Sequence, residues 1–372
     1  MLKRSAFWQI LVFLLFLGAF FVLHLALPDR SFSERENRSL QTAPKFTFSA
    51  LFAGKFTAAA ERYVNDQFPL RDDWITLKAA GELASGKSEN NGVWLCAGDT
   101  LLECFTAPEP EAVAGQIAGV NALSARAGIP VTLALVSSSA ELWGELLPEG
   151  APNDSQEEFI ASVRAAVDCP TVDLCAALAP HRDESIYYRT DHHWTTLGAY
   201  YGYAALGQAL GYEPLPLSDY SPRVVSERFY GTAWSSSGFS WVRPDVLTTY
   251  VNQGAASITN YSQGVAEVGS LYVERFLEQR DKYSYFYGGN TPRLVVETGN
   301  AGERLLILRD SYMDSLSPFL YPHFSQLHIL DLRYFREDIY SYLRDNGIDR
   351  VLVCYSVANF VGDANLQLLA RS

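Results

Sequence analysis

An apolar run long enough to cross a lipid bilayer restricts the fold of this chain more than any other feature. Lys3 and Arg4 come before the run, which extends from Phe7 to Leu27 and ends before Pro28. At about 1.5 Å per residue, a helix of this length matches the ~30 Å hydrocarbon core of a membrane. The sequence therefore predicts one membrane-spanning helix.

The basic residues in front of the run predict its orientation. Positively charged flanks stay in the cytoplasm, so the chain after Pro28 is expected outside the plasma membrane. A cleaved signal peptide is the alternative, but the run is long for one and no small-residue cleavage site stands clearly at its end. We expect an uncleaved single-pass anchor, with residues 1–28 forming the cytoplasmic stub and the span.

Charge and composition exclude some classes of protein. The chain has 372 residues, 48% of them hydrophobic, so a sizeable packed core is expected. Its formal net charge of -13 argues against binding nucleic acid or anionic lipid through a basic surface.

Five cysteines do not make a disulfide scaffold in a chain of this length, although export would permit bridges. Cys96 and Cys104 flank a hairpin-like turn, and Cys169 and Cys175 bracket a short apolar segment, so two local bridges are open to the chain. Cys354 lies in an apolar run typical of a core strand.

The pattern along the exported part predicts its domains. Residues 29–90 are expected to form a membrane-proximal stalk and a lead-in helix, and residues 91–372 a catalytic domain. In that domain, short apolar runs alternate with helical patterns at 131–136, 171–174, 304–308, 327–332 and 350–355. This alternation predicts an α/β domain of three layers, α/β/α, with a mostly parallel sheet. Residues 214–300 are rich in Ser, Gly, Tyr and Trp and are expected to be an insertion that walls a substrate cleft.

Ser311 follows one of these apolar strands and precedes a predicted helix near Met313. Ligands of open α/β sheets lie at the carboxyl ends of the strands, where a serine is exposed to substrate and a helix N-terminus can offer N–H groups to an oxyanion. A serine at this place can also simply cap the helix.

A base for such a serine is offered by Asp191, His192 and His193. A serine becomes a nucleophile when an imidazole takes its proton, and a carboxylate orients that imidazole. Spacing alone leaves open which histidine is the base. The same three residues could instead hold a metal, but the remaining histidines of the exported part show no ligand spacing with them. We expect neither a metal nor a cofactor.

The segment Thr190 to Trp194 resembles the Asp-His-His-Trp signature of the bacterial DHHW family, which is similar to the SGNH-hydrolase-like alginate O-acetylation proteins AlgX and AlgJ. Residues 32–40 and 66–71 resemble the membrane-proximal segment of these proteins, and Asp310 to Tyr312 their nucleophile block. Asp331 to Phe335, which includes Arg333, resembles the strand end that follows.

The resemblance implies roles for single residues. Asp191 would orient the base, His193 would be the base, and Ser311 would be the nucleophile. Gly289 and Asn290 are the nearest candidates for an oxyanion site, although a plain Gly-Asn turn is the alternative. Tyr312, Trp194 and Arg333 complete the candidate substrate-contacting residues.

Three functions compete at this stage. The first is serine-type transfer of an acetyl group to an extracellular or cell-wall polysaccharide, with a multi-span membrane acyltransferase as acyl donor. The second is a carbohydrate acetyl esterase, which needs no such partner. The third is a non-catalytic surface protein that binds carbohydrate or assists assembly, with Trp194, Trp234, Trp241 and Tyr287 as stacking candidates.

Overall fold

The computed structural model describes residues 2–251, 256–262 and 264–371, with side chains from residue 5 onward. The chain separates into two compact units. The first comprises Met1–Asn90 with Gly238–Ser240, and the second comprises Asn91–Ser237 with Trp241–Ser372.

Helices dominate the first unit. Its elements are α1 (Leu2–Ala26), β1 (Phe32–Ser33), β2 (Arg38–Ser39), α2 (Phe48–Phe52), α3 (Lys55–Asp66), α4 (Arg71–Ala84) and β3 (Glu89–Asn90). Within the described residues, Ser5–Ala26 is the one helical stretch that is long and apolar enough to cross a membrane. The lead-in helix predicted within residues 29–90 is present, but it is broken before α4, where Leu70 has a left-handed φ of 58°.

Asp66 ties the start of this unit to the end of α3. Its carboxylate accepts hydrogen bonds from the Arg38 guanidinium at 2.6 and 3.1 Å and from the Gln41 backbone N–H at 2.8 Å. The Arg38 hydrogen bond holds the pKa of the Asp66 carboxyl below its ordinary value, against the opposing effect of burial. The short β1–β2 hairpin is thereby fixed to the helices that follow it.

The second unit contains the remaining elements. Its strands are β4 (Val93–Cys96), β5 (Thr100–Glu103), β6 (Val131–Val136), β7 (Thr171–Asp173), β8 (Arg223–Phe229), β9 (Asp245–Thr249), β10 (Ser257–Ser262), β11 (Val265–Val268), β12 (Arg293–Glu297), β13 (Arg304–Arg309), β14 (Gln326–Leu330) and β15 (Arg350–Ser356). Its helices are α5 (Pro110–Arg126), α6 (Ser139–Leu142), α7 (Gln156–Ala166), α8 (Leu174–Leu178), α9 (Thr196–Leu210), α10 (Thr232–Ser237), α11 (Met313–Leu316), α12 (Ile339–Asp345) and α13 (Val357–Gly362).

An eight-stranded sheet in the order β11-β10-β12-β14-β13-β15-β6-β7 forms the centre of this unit. The five strands from β14 to β7 are parallel, and β12, β10 and β11 extend the sheet as antiparallel strands. Every residue of β6 is buried, and so are all but the first residues of β13 and β15. Such complete burial requires cover on both faces, so the expected α/β fold with a mostly parallel sheet is confirmed.

The region 214–300 does not stand apart from this sheet. It supplies β10, β11 and β12, which extend the sheet from β14, and the antiparallel pair β8–β9. The sequence did not locate these strands because their apolar runs are at most three residues long and are interrupted by Ser, Thr, Asn and Glu.

The cysteines and the segment after Ser311 also bear on the sequence analysis. All five cysteines are free thiols, so neither of the two local bridges considered from the sequence forms. The helix predicted near Met313 begins there, but it ends after four residues, Met313–Leu316, and passes into a 3₁₀ segment at Ser317–His323. Pro318 and Pro322 explain the early end, because proline cannot donate the hydrogen bond that continues an α-helix.

Gly119 gives a test of how tightly this unit is packed. A Cβ placed there would lie 2.0 Å from the Leu366 carbonyl oxygen, where α5 meets the C-terminal 3₁₀ segment. Gly119→Ala must displace backbone and should lower the free energy of unfolding by about 1–3 kcal/mol in urea titrations of the purified chain. Gly362→Ala, with no atom within 4 Å of the added Cβ, is the control and should change the stability little. Equal stability of the two variants would contradict this packing.

Candidate active site

The parallel strands deliver a set of polar residues to one edge of the sheet. Asp310 and Ser311 follow β13, Asp331 follows β14, and Ser356 ends β15. The carboxyl ends of parallel strands lie at the same edge, so residues far apart in sequence meet there.

Asp310 is fully buried and fixes the backbone around Ser311. Its Oδ2 accepts hydrogen bonds from the Ser356 N–H at 2.8 Å, the Ser356 hydroxyl at 2.6 Å and the Asn359 amide at 2.8 Å. Its Oδ1 accepts the Tyr312 N–H at 3.1 Å. The donors belong to β15, to α13 and to the residue after Ser311, so one carboxylate joins the ends of two neighbouring strands.

Asp191, His193 and Ser311 form a continuous hydrogen-bonded chain. His193 Nδ1 donates to Asp191 Oδ1 at 2.5 Å, and His193 Nε2 lies 2.7 Å from the Ser311 hydroxyl, 118 residues away in sequence. Because a carboxylate only accepts, Nδ1 carries the proton and Nε2 accepts from the serine. The structure therefore brings together the three residues that the sequence named for this role.

The second oxygen of Asp191 is held by a residue that the sequence did not identify. Asp191 Oδ2 accepts the Thr232 N–H at 2.8 Å and the Thr232 hydroxyl at 3.3 Å. A Cβ at Gly231 would lie 2.1 Å from the Asp191 Cβ, so only glycine permits this approach. In the sequence, Thr232 is marked only by the Gly231-Thr232 pair at the start of α10. Such a pair is too common to identify a functional residue.

Two rings lie against the imidazole of His193. The Tyr283 ring stacks on it at 3.8 Å and 9°, and the His192 ring lies 3.8 Å away at 37°. The Tyr283 hydroxyl donates to the Ser311 carbonyl oxygen at 3.3 Å or to the Ser315 hydroxyl at 3.2 Å. Tyr283 thus contacts both the imidazole and the turn that carries the serine.

Burial and charge shift the pKa values of the site. Burial alone would raise the pKa of Asp191, but the His193 and His192 imidazoles and the hydrogen bonds from His193 hold it well below its usual range. Burial and the charge of His192 lower the pKa of His193 below 6.5, against the opposing effect of Asp191. Near neutral pH, Asp191 is therefore ionised and His193 is neutral, as proton transfer from a serine requires.

His192 lies beside this chain of hydrogen bonds and is connected to it through Thr232. Its Nδ1 bonds to the Thr232 hydroxyl at 2.6 Å, and the Tyr312 hydroxyl donates to its carbonyl oxygen. The structure therefore distinguishes the two histidines, which spacing alone did not.

Ligand atoms of Asp191, His192 and His193 all lie within 4.8 Å of one another. A metal bound there would have to displace one of the hydrogen bonds described above.

Two of the predicted substrate-contacting residues lie in the interior, which corrects those predictions. Trp194 has no exposed surface, and its indole N–H donates to the Tyr312 carbonyl at 2.9 Å. Tyr312 is 2% exposed and packs against Trp194 edge to face. Tyr287, a stacking candidate, is 1% exposed and bonded to Ser317 and Tyr321. Their size and apolar surface favour the core over the cleft.

The other candidates lie near the strand ends. Arg333 donates to both carboxylate oxygens of the buried Asp331 at 2.9 and 2.7 Å, and its side chain is 29% exposed. Gly289 has a φ of 95° in a turn, and the Asn290 side-chain oxygen accepts from Arg309 at 3.3 Å. The buried Arg309 also pairs with Asp314 at 3.0 Å. Burial raises the pKa of Asp314 to about 7, although the Arg309 charge opposes this.

Comparison with known proteins identifies a matching family model and relatives of this chain. The family model described as DHHW protein matches residues 163–330. A protein of Pseudomonas syringae pv. tomato named probable alginate O-acetylase AlgJ is 29% identical over 235 residues, which are 59% of this chain and 56% of that protein. The chain thus spans about half the length of the curated relatives it matches.

Solved structures share the fold. A DHHW family protein from Eubacterium siraeum superposes with a TM-score of 0.68 at 27% identity, over 76% of this chain and 96% of that one. PatB1 of Bacillus cereus, solved with a sulfonyl adduct, gives a TM-score of 0.63 at 23% identity, over 73% and 97% of the two chains. The resemblance to the DHHW family that the segment Thr190 to Trp194 indicated is therefore confirmed.

Proposed function

We propose that this protein transfers acetyl groups to an extracellular or cell-wall polysaccharide through an acyl-serine formed on Ser311. The observation that carries the proposal is the chain of hydrogen bonds from Asp191 through His193 to Ser311. This arrangement activates a serine hydroxyl in enzymes of unrelated folds.

In the first half-reaction, the Ser311 hydroxyl oxygen attacks the carbonyl carbon of an acetyl donor while His193 Nε2 takes the hydroxyl proton. The bond from the carbonyl carbon to the donor's leaving atom then breaks, and His193 returns the proton to that leaving group. In the second half-reaction, a sugar hydroxyl attacks the acetyl-serine, gives its proton to His193 and releases Ser311. Asp191 stays ionised and stabilises the imidazolium in both steps.

The relatives support acetyl as the group and polysaccharide as the acceptor, because several are named probable alginate O-acetylase. An exported transferase has no access to cytoplasmic acetyl-CoA, so the proposal includes a multi-span membrane acyltransferase as donor. Asn290, held near the end of β13 by Arg309, is the proposed side-chain donor to the oxyanion.

An acetyl esterase is the second candidate, since the same acetyl-serine would be hydrolysed if water reached it. The Tyr283 and His192 rings beside the His193 imidazole favour transfer, because they restrict the access of water to it. The third reading, a non-catalytic binding protein, loses support because two of its four stacking candidates, Trp194 and Tyr287, are buried.

Substitutions in the triad should separate an enzyme from a binding protein. Ser311→Ala should abolish both labelling by a sulfonyl fluoride probe and turnover of a chromogenic acetyl ester, because it removes the hydroxyl that is hydrogen-bonded to His193 Nε2. His193→Ala should lose comparable activity, since members of one triad act as a unit. Asp191→Asn should cost on the order of 10⁴ in rate, the magnitude known for the serine-protease triad.

His192→Ala is the control for these substitutions and should be much milder, because His192 makes no hydrogen bond to Ser311. Wild-type turnover by Ser311→Ala, or a dispensable His193 beside an essential His192, would refute the assignment.

The pKa of His193 sets the acid limit of activity. Because burial and the charge of His192 lower this pKa, kcat/KM for the acetyl ester should decline only at a pH below 6.5, as His193 becomes protonated. His192→Gln removes one of the two effects that lower the pKa of His193, so the acid limb of the kcat/KM profile should move to higher pH. His181→Gln, at a partly exposed histidine paired with Glu184, should leave the limb in place. A shift to lower pH in His192→Gln would contradict the charge effect.

The orientation of the chain is testable in whole cells. We propose that α1 anchors the protein in the plasma membrane with everything after Pro28 outside. Protease added to intact protoplasts should then digest the chain down to the membrane-protected segment, whereas a cytoplasmic control protein stays intact. Full protection of the chain would overturn this topology.

A further inference from the structure

The helix α4 carries apolar side chains along one exposed face. Trp74 and Leu77 are three residues apart, which places them on the same side of the helix, and Leu70 lies directly before its first residue. Their exposed fractions are 59%, 37% and 61%, and the adjacent Phe68 is 36% exposed. These four residues are called the α4 apolar face below. Soluble surfaces seldom present large apolar side chains side by side in this way.

Several charged residues of α4 are engaged within the unit. Arg71 pairs with Glu36 through hydrogen bonds, one of them at 3.0 Å, Asp72 pairs with Arg30 at 3.1 Å, and Lys78 donates to the Asn90 side chain at 2.9 Å. These charges are therefore satisfied inside the first unit, whereas Trp74 and Leu77 keep exposed apolar surface.

Contacts with α1 give the depth of this face in a membrane. The Trp74 ring lies 6.2 Å from the Phe16 ring and 5.6 Å from the Phe20 ring, and Phe68 stacks on Phe20 at 5.4 Å. Phe16 precedes Ala26, the end of the apolar span, by about 15 Å at 1.5 Å per residue, which is half of the ~30 Å hydrocarbon core. A span that includes Ser5–Ala26 thus carries Trp74 and Phe68 below the membrane surface.

A second exposed segment of the same unit has matching chemistry. Phe48 and Phe52 of α2 are 70% and 87% exposed, and the neighbouring Lys45 and Lys55 are exposed as well. Aromatic rings beside lysines suit the boundary between acyl chains and phosphate headgroups.

We propose that the first unit is partly embedded in the lipid bilayer, with the α4 apolar face in the leaflet on the Ala26 side of α1 and α2 at the headgroup boundary. The partner is the lipid itself. The unit is then held by a lateral surface in addition to its anchor, which limits its tilt against the membrane. This inference is independent of the chemistry at Ser311, so either can fail without the other.

Photo-crosslinking to lipid tests the embedding directly. The full chain carrying p-benzoylphenylalanine in place of Leu77, or of Phe52, would be reconstituted in phosphatidylethanolamine–phosphatidylglycerol vesicles containing an alkyne-bearing phospholipid and then irradiated. Phe13, on α1, is the positive control. Glu61 is the negative control, because it is exposed and lies about 140° around α3 from Phe56, which packs on Phe46. A melting curve of each variant verifies the fold.

The expected result is a lipid adduct at position 77 that approaches the yield at position 13 and exceeds the yield at position 61 several-fold, with an intermediate yield at position 52. Labelling at position 13 with only the position-61 level at position 77 would overturn the proposal. A crosslinked species of twice the chain mass at position 77, without lipid, would overturn it in favour of a second copy of the chain. Absence of lipid adducts at position 13 would overturn it as well, since α1 would then lie outside the bilayer.

Discussion

The ionised carboxylate of Asp191 lies almost without solvent, at 3% exposure, and the geometry around Ser311 depends on how its charge is compensated. A buried charge is tolerated only where hydrogen bonds replace water. One oxygen accepts the backbone and ring N–H groups of His193, and the other accepts two hydrogen bonds from Thr232. These bonds fix the tautomer and the direction of the imidazole, which in turn directs Nε2 at the serine. Asp191→Ala would leave buried donors unpaired as well as removing a charge.

A second buried carboxylate, Asp310, performs the corresponding task on the nucleophile side. Its bonds to Ser356 and Asn359 join the end of β13 to the end of β15, so the position of Ser311 follows from the register of the parallel sheet. The two carboxylates thus hold His193 and Ser311 separately, and the hydrogen bond between His193 Nε2 and the Ser311 hydroxyl connects the two. Rigid support of this kind is what keeps catalytic groups in register during proton transfer.

The first unit follows the same physical rule. Charged groups require ion-pair or hydrogen-bond partners, and apolar groups are stable where water is excluded from them. Arg38 and Asp66 pair there, as do Arg71 and Glu36, which leaves aromatic and aliphatic side chains on the outside. In water such a surface would be unfavourable, and in a bilayer it is stabilising. The composition of the chain hides this contrast, because its acidic residues are spread over both units.

The sequence by itself determined the long apolar helix near the N-terminus, the α/β class of the fold and, through the family resemblance, the proposal that Asp191, His193 and Ser311 act together. Long apolar runs and strand-helix alternation are local patterns, and the Asp-His-His-Trp motif is short and contiguous. The tertiary structure alone decided that Thr232 holds the Asp191 carboxylate, that the Asp310 carboxylate joins the ends of β13 and β15, and that Trp194 belongs to the core. These outcomes depend on contacts between residues 40 or more positions apart, such as Thr232 with Asp191 and Ser356 with Asp310. Such contacts arise when strands pair and loops close over them, and no pattern confined to a single segment encodes which residues will then meet.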